Sequence, residues 1–169
     1  KEVEKWIRVN IFDIIIHLAA VVPTYKVKKN YPYSKKVNYF GTKYLIDSII
    51  KYKKKPKIIF FSSSSHVYKA TKKFKRIKET ENTSPISLYG KTKVLAENYI
   101  QKKLKRTHIK YCIGRIFSFT HELQDKSFLV PSLFSKNKYS KNKLNLANIN
   151  HNRDFLEIDD RSRAIKNIC

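Results

Sequence analysis

KIIFFSSSS, residues 57–65, is an apolar run that ends in four serines, and it predicts a strand buried on both faces. Similar apolar runs at 11–16 and 109–117 predict a strand before it and a strand after it. Apolar residues recur at helical spacing over 37–50, between the first two strands, and over 88–104, between the last two. Strand and helix therefore alternate, which predicts an α/β fold with a parallel sheet and helices packed on it.

The alternation stops after the third strand. The remaining sequence predicts a short apolar helix at 128–134, a short strand at 144–146 and another helix that begins at Asp159. This change in pattern indicates a second subdomain. We therefore expect one domain over residues 1–118 and the beginning of another over residues 119–169.

The composition indicates a globular protein with a strong positive charge. The 169 residues include 37 Lys and Arg against 13 Asp and Glu, a net charge of +24, and 41% are hydrophobic. A charge of this size is typical of proteins that bind nucleic acid. Here the lysines are scattered and accompany Asn, Ile, Tyr and Phe, the set that AT-rich coding favours. We therefore favour a compositional bias over a nucleic-acid partner.

Other features of the composition exclude several classes of protein. No apolar run reaches the length of a membrane span, and no signal peptide opens the chain. The two cysteines, Cys112 and Cys169, form neither a metal pair nor a disulfide framework. We expect a cytoplasmic protein without a metal site. The sequence contains no Met, even at its first position, which predicts either a processed chain or, in preference, a fragment of a longer reading frame.

The segment SPISLYGKTK, residues 84–93, places Tyr89 and Lys93 one turn apart on one face of the second helix. The reference pKa of a phenol is near 10, too high for a base at neutral pH. A nearby ammonium favours the phenolate and lowers that pKa, so the pair is a candidate for proton transfer. In a chain rich in Lys and Tyr the same spacing also arises by chance, with a solvated Lys beside a half-buried Tyr.

Five segments carry a more specific pattern: HLAA at 17–20, NYFGT at 38–42, SSSSHVY at 62–68, SPISLYGKTK at 84–93 and RDFLEIDD at 153–160. In this order and spacing they resemble the NAD-dependent epimerase/dehydratase family, the extended short-chain dehydrogenase/reductases that act on nucleotide sugars. The resemblance covers nearly the whole chain. It implies a partial Rossmann-type sheet flanked by helices, followed by the start of a small substrate-binding subdomain.

The resemblance also implies roles for individual residues. Tyr89 would be the catalytic acid and base, Lys93 would hold the cofactor ribose and lower the pKa of the tyrosine, and Ser64 would share the sugar oxygen with the tyrosine. The cofactor, NAD or NADP, would be lined by Leu18, Ala19, Ala20, Asn38, Ser62, Tyr89 and Lys93. The nucleotide-sugar substrate would contact Ser64, Ser118, which stands where many members carry Asn, and Arg153, whose guanidinium suits a diphosphate. The Gly-rich turn that holds the cofactor pyrophosphate would precede residue 1.

The residues after Ser64 narrow the reaction that the resemblance implies. The 4,6-dehydratases of the family carry an acidic residue there, whereas this sequence has Ser65 and His66. We therefore expect a nucleotide-sugar epimerase or 4-keto-sugar reductase ahead of a 4,6-dehydratase, and a homodimer by analogy. His66 is either a further acid/base or a loop histidine without a role. The alternative from another class is a non-catalytic, basic Rossmann-like module that binds nucleic acid.

Overall fold

The structure, a computed structural model, describes residues 2–69, 76–139 and 154–169. The chain divides into two compact units, one of residues 1–116 with 168–169 and one of residues 117–167. The expected strand at 144–146 lies outside the described residues.

The first unit contains a parallel sheet of three strands. The strands are β1 (Ile14–His17), β2 (Ile58–Ser64) and β3 (Lys110–Ile116), and they lie in the order β1-β2-β3. The α/β fold that the sequence predicted, a parallel sheet flanked by helices, is confirmed. The first strand is shorter than expected, since it begins at Ile14 and not at Ile11. The preceding Phe12 instead packs its ring against Trp6, with 4.6 Å between the ring centroids.

Helices connect and cover these strands. They are α1 (Glu2–Val9), α2 (Thr24–Lys29), α3 (Tyr31–Lys35), a π-helical turn (Lys36–Gly41), α4 (Thr42–Lys51) and α5 (Leu88–Leu104). The predicted helix at 37–50 is therefore partly π-helical, whereas α5 has the predicted bounds. A core of apolar side chains from α4, α5 and β2, including Ile46, Ile49, Ile59 and Ile100, holds the layers together by burial of apolar surface.

The second unit is smaller. Its strands β4 (Ser118–Thr120) and β5 (Phe155–Glu157) pair in parallel, and its helices are α6 (Leu129–Tyr139) and α7 (Ile158–Ile168). Two helices were expected in this part of the sequence, but the strand pair was not. None of the described helices is both long enough and apolar enough to cross a membrane.

Candidate active site

The carboxyl end of β2 carries three serines, at positions 62–64. Ser64 caps the short 3-10 turn Ser65–Val67, and its hydroxyl accepts a hydrogen bond from the backbone N–H of His66 at 3.3 Å. Ser63 and Ser64 are both buried. These hydroxyls therefore lie at the edge where open parallel sheets bind ligands, as the sequence led us to expect.

Helix α5 begins directly beside this turn. Ser87 caps the helix by accepting a hydrogen bond from the backbone N–H of Gly90 at 3.0 Å. A Cβ atom at position 90 would lie 2.1 Å from the carbonyl oxygen of His66, so the close approach requires glycine. As a result, the rings of Tyr89 and His66 meet edge to face, with centroids 5.6 Å apart.

Lys93 reaches under the sheet edge from the next turn of α5. Its side chain is 2% exposed, and its Nζ donates a hydrogen bond to the carbonyl oxygen of Ser62 at 2.8 Å. The same Nζ lies 4.9 Å from the ring centroid of Phe61 and 5.8 Å from that of Tyr89. Burial lowers the pKa of Lys93 to about 8, and the charge of Glu97 acts in the opposite direction. The group is therefore an ammonium at neutral pH, but one that loses its proton more readily than an exposed lysine.

The pKa of Tyr89 differs from the one that the sequence led us to expect. Its pKa is raised to about 12 by burial, and the hydroxyl of Ser64 only partly offsets this by lowering it. We expected Lys93 to lower the pKa of the phenol. In the structure the Lys93 ammonium lies toward the face of the ring and is bonded to the Ser62 carbonyl, so it gives the phenolate no direct partner. Burial therefore favours the neutral phenol at physiological pH.

A charged pair beneath the site was missed by sequence reasoning. Glu97 is 1% exposed, and both of its carboxylate oxygens accept hydrogen bonds from Arg115: Oε2 from Nη2 at 2.9 Å, and Oε1 from Nε at 3.3 Å. Glu97 also accepts a hydrogen bond from the hydroxyl of Ser63. The signal that could have found it is its spacing, since Glu97 follows Lys93 by one helical turn.

The residues expected to line the cofactor differ in their exposure and in their hydrogen bonds. Leu18 and Ala19 follow β1 and are exposed, and Ala20 is half-buried. Asn38 is buried and forms a clamp: its Oδ1 accepts from Val21 N at 2.6 Å, and its Nδ2 donates to Val21 O and to Thr92 Oγ1, each at 3.2 Å. The side chain of Asn38 is thus engaged in joining the segment after β1 to α5.

His17 ends β1 close to the same edge. Its Nε2 bonds with Thr42 Oγ1 at 2.9 Å, and its ring stacks on Phe61. Burial and, to a smaller extent, the charge of Lys93 lower the pKa of His17 to about 4. The imidazole is therefore neutral at physiological pH and acts as a packing residue at the end of the strand.

The structure brings together some of the predicted site residues and not others. Ser62, Ser64, Tyr89 and Lys93 converge at the carboxyl end of β2. Ser118 belongs to the second unit, where its carbonyl oxygen accepts a hydrogen bond from Arg161 at 3.2 Å. Arg153 lies outside the described residues. Among the residues that are described, no three His, Cys, Asp or Glu side chains gather as metal ligands would.

Comparison with protein families gives a match along the entire chain. The sequence profile of the family described as GDP-mannose 4,6 dehydratase matches residues 1–169. A curated protein of Methanocaldococcus jannaschii, provisionally named UDP-glucose 4-epimerase, is 26% identical over 167 residues, which are 97% of this chain and 54% of that protein. The chain therefore spans about half the length of this relative.

Solved structures show the same relationship. UDP-glucose 4-epimerase from Thermotoga maritima, solved with UDP-glucose, is 25% identical with a TM-score of 0.83, over 96% of this chain and 53% of that chain. UDP-glucuronic acid 4-epimerase from Bacillus cereus, solved with UDP-glucuronic acid and NAD, is 24% identical with a TM-score of 0.84, over 98% of this chain and 51% of that chain. The latter likeness concerns the fold alone. Together with the family match, these comparisons confirm the resemblance seen in the five sequence segments.

Proposed function

The chain belongs to the GDP-mannose 4,6-dehydratase family, within the NAD-dependent epimerases and dehydratases, and we propose that its site converts a nucleotide sugar with the help of a nicotinamide cofactor. The reaction that we favour is epimerisation or 4-keto reduction of the sugar. The observation that carries the proposal is the convergence of Ser64, Tyr89 and Lys93 at the carboxyl end of β2. The family match and the two epimerase structures support it.

Each of the three side chains has a role that its surroundings allow. The Tyr89 side chain, as phenolate, would accept the proton of the sugar hydroxyl in the oxidation step and, as phenol, would return it to the sugar oxygen in the reduction step. Its raised pKa favours the phenol that the reduction step needs. The Ser64 hydroxyl, which lowers the pKa of the Tyr89 phenol, would share the sugar oxygen. The Lys93 ammonium, held by the Ser62 carbonyl, orients the ligand.

The residues near this edge fit a nicotinamide cofactor. Ala19 and Ala20 have small side chains where a flat ring would approach the backbone, and Lys93 provides a buried ammonium for ribose hydroxyls. When bound, the cofactor would supply the two-electron chemistry of sugar oxidation and reduction, and the protein supplies binding and orientation. Asn38 would act indirectly, because its hydrogen bonds to Val21 hold the segment after β1 in place.

The choice of epimerisation over dehydration rests on the residues that follow Ser64. Ser65 and His66 occupy the start of the turn after β2, so the sequence places no carboxylate there to assist an elimination. The matched family is described by a dehydratase activity, and the test must therefore distinguish the two products.

The experiment uses protein expressed from the complete reading frame that contains these residues. UDP-glucose, UDP-glucuronic acid and GDP-mannose are each incubated with NAD or NADP, and the products are identified by NMR. We expect a 4-epimer or a reduced sugar, and not a 4-keto-6-deoxy sugar. Replacement of Tyr89 by Phe should lower turnover by roughly 10²- to 10⁴-fold, because it removes the group that transfers the proton.

Tyr99→Phe is the matched control for Tyr89→Phe. Tyr99 lies on the same helix, but its hydroxyl bonds to Asp47 on α4, away from the site. We expect its turnover to match that of the wild type. A Tyr89→Phe protein with wild-type turnover would contradict the proposed mechanism. A 4-keto-6-deoxy product would show that the reaction is a dehydration and not an epimerisation.

A further inference from the structure

We propose that Glu97 is a positioning residue for the site: its buried carboxylate, fixed by Arg115 and Ser63, keeps the Lys93 ammonium charged beneath the sheet edge. The proposal rests on the proposed function in so far as Lys93 acts there. It gives a function to the pair of Glu97 and Arg115, which takes no part in the reaction described above.

The first step of the argument is the placement of three side chains along one helix. Tyr89, Lys93 and Glu97 follow one another at four-residue intervals on α5, so they form a stripe on a single face. Lys93 and Glu97 are 2% and 1% exposed. Two opposite charges one turn apart, both removed from water, interact more strongly than they would at the surface.

The second step is the rigidity of the carboxylate. Arg115 on β3 holds both oxygens of Glu97, and Ser63 on β2 donates a further hydrogen bond. The guanidinium is itself fixed, since its Nη1 donates to the hydroxyl of Tyr68 at 2.8 Å and to the carbonyl oxygen of Glu79 at 3.0 Å. The negative charge is therefore held in place one helical turn after Lys93.

The third step is the set of charges that face Lys93 from each neighbouring element. His17 on β1 is neutral because its pKa is lowered to about 4, and Tyr89 on α5 is neutral because its pKa is raised to about 12. From β2 the ammonium meets the Ser62 carbonyl and the ring of Phe61, neither of which titrates. From β3 the charged group is Arg115, which is paired with Glu97. In the described part of the chain, Glu97 is the carboxylate whose charge acts against the desolvation of Lys93.

The test measures the protonation of Lys93 directly. Protein labelled with ¹³C and ¹⁵N at lysine is titrated from pH 6 to pH 11, and the signal of Lys93, assigned by its loss in Lys93→Met, reports its pKa. We expect Glu97→Gln, which preserves the shape of the side chain, to lower that pKa by about one unit, a tenfold loss of proton affinity.

Asp47→Asn is the matched control. Asp47 is also a carboxylate bonded to a residue of α5, Tyr99, but its cationic partner is Lys43 at 2.6 Å. We expect no change in the Lys93 pKa in this variant. A pKa of Lys93 that is the same in Glu97→Gln and in the wild type would overturn the proposal and leave the pair a purely structural one.

A second variant covers the case in which Glu97→Gln does not fold. Replacement of both partners, Glu97→Gln with Arg115→Met, leaves no unpaired charge, and such double replacements of buried pairs are often tolerated. The Lys93 pKa should again fall below the wild-type value, because the charge of Glu97, which raises it, is lost. An unchanged pKa here also overturns the proposal. Because no substrate or cofactor is needed, the result stands apart from the success or failure of the proposed function.

Discussion

Strands β1 and β2 lie side by side in parallel register, with Ile16 opposite Phe60, yet they differ in which side chains they bury. On β2 even the serines at 63 and 64 are buried, whereas on β1 the isoleucines at 14 and 16 are 43% and 46% exposed. The polar end of β2 is therefore buried, whereas the apolar strand β1 is exposed on one face.

The difference shows that burial follows from partners and coverage more than from residue type. Ser63 is buried because Glu97 accepts its hydrogen bond, so little is lost when the hydroxyl leaves water. Ile16 is exposed because β1 is an edge strand whose neighbours in the described residues cover one face only. Three predictions test this contrast between the β2–α5 interface and β1.

The largest effect is expected for an isoleucine of β2. Ile59 is 1% exposed and belongs to the core, so Ile59→Ala should lower the free energy of unfolding by about 2–5 kcal/mol through lost burial and a cavity. Ile16→Ala on β1 removes the same atoms from a half-open site and should cost less than about 1 kcal/mol. Urea denaturation of the two variants measures both values. Equal losses would show that β1 is covered as fully as β2.

The next effect concerns the close packing of α5 against the turn after β2. Gly90→Ala should destabilise the fold by about 3 kcal/mol, because the added Cβ meets a backbone carbonyl that cannot move aside cheaply. Gly41→Ala is the control, since its Cβ would find its nearest neighbour at an ordinary 3.9 Å in helical backbone. We expect that variant to be neutral or slightly more stable. Thermal unfolding followed by circular dichroism distinguishes the two, and an equally stable Gly90→Ala would refute the close approach.

The smallest effect is expected at His17, which ends β1 and whose side chain is hydrogen-bonded to Thr42. Its pKa is about 4 in the folded protein and near 6.5 when unfolded, so the unfolded chain binds more protons between these values. Stability should therefore rise with pH across this window and be lost as the pH falls from about 6.5 to about 4. The part due to His17 is on the order of 2 kcal/mol, since the ring is only partly buried.

His17→Gln, which keeps a hydrogen-bonding group near Thr42, should flatten the dependence of stability on pH. Urea unfolding at pH 4.5, 5.5 and 7 measures the slope for both proteins. An unchanged slope in the variant would mean that other groups cause the acid sensitivity.

Sequence reasoning reached the fold because strongly periodic segments dominate it. The runs that form β2, β3 and α5 are each either apolar or helically spaced, and this pattern predicts their type and order. Burial follows the pattern on β2, whereas β3 is only half-buried. The pairing of β4 with β5 was missed, since each strand has three residues and 34 residues separate them, too little pattern for a prediction.

The sequence predicted that Tyr89 and Lys93 share one face of a helix, as they do on α5, but it did not predict the electrostatics of these two side chains. The spacing of Tyr89 and Lys93 gives one face of a helix, but it does not tell how deeply the face is buried, and burial sets both pKa values. Likewise the partner of Glu97 is Arg115, on a different element and 18 residues away, and only the packed structure joins them.

The π-helical turn that contains Asn38 has a consequence for the comparison of sequences. Such a turn accommodates about one residue more than an α-helical turn. A relative with a plain α-helix at Lys36–Gly41 would therefore have one residue fewer between its first two strands. An alignment that forces equal lengths there would set Asn38 against a neighbour of its true counterpart. The gap belongs within this turn, where a single-residue insertion or deletion changes the helix type without shifting the strands.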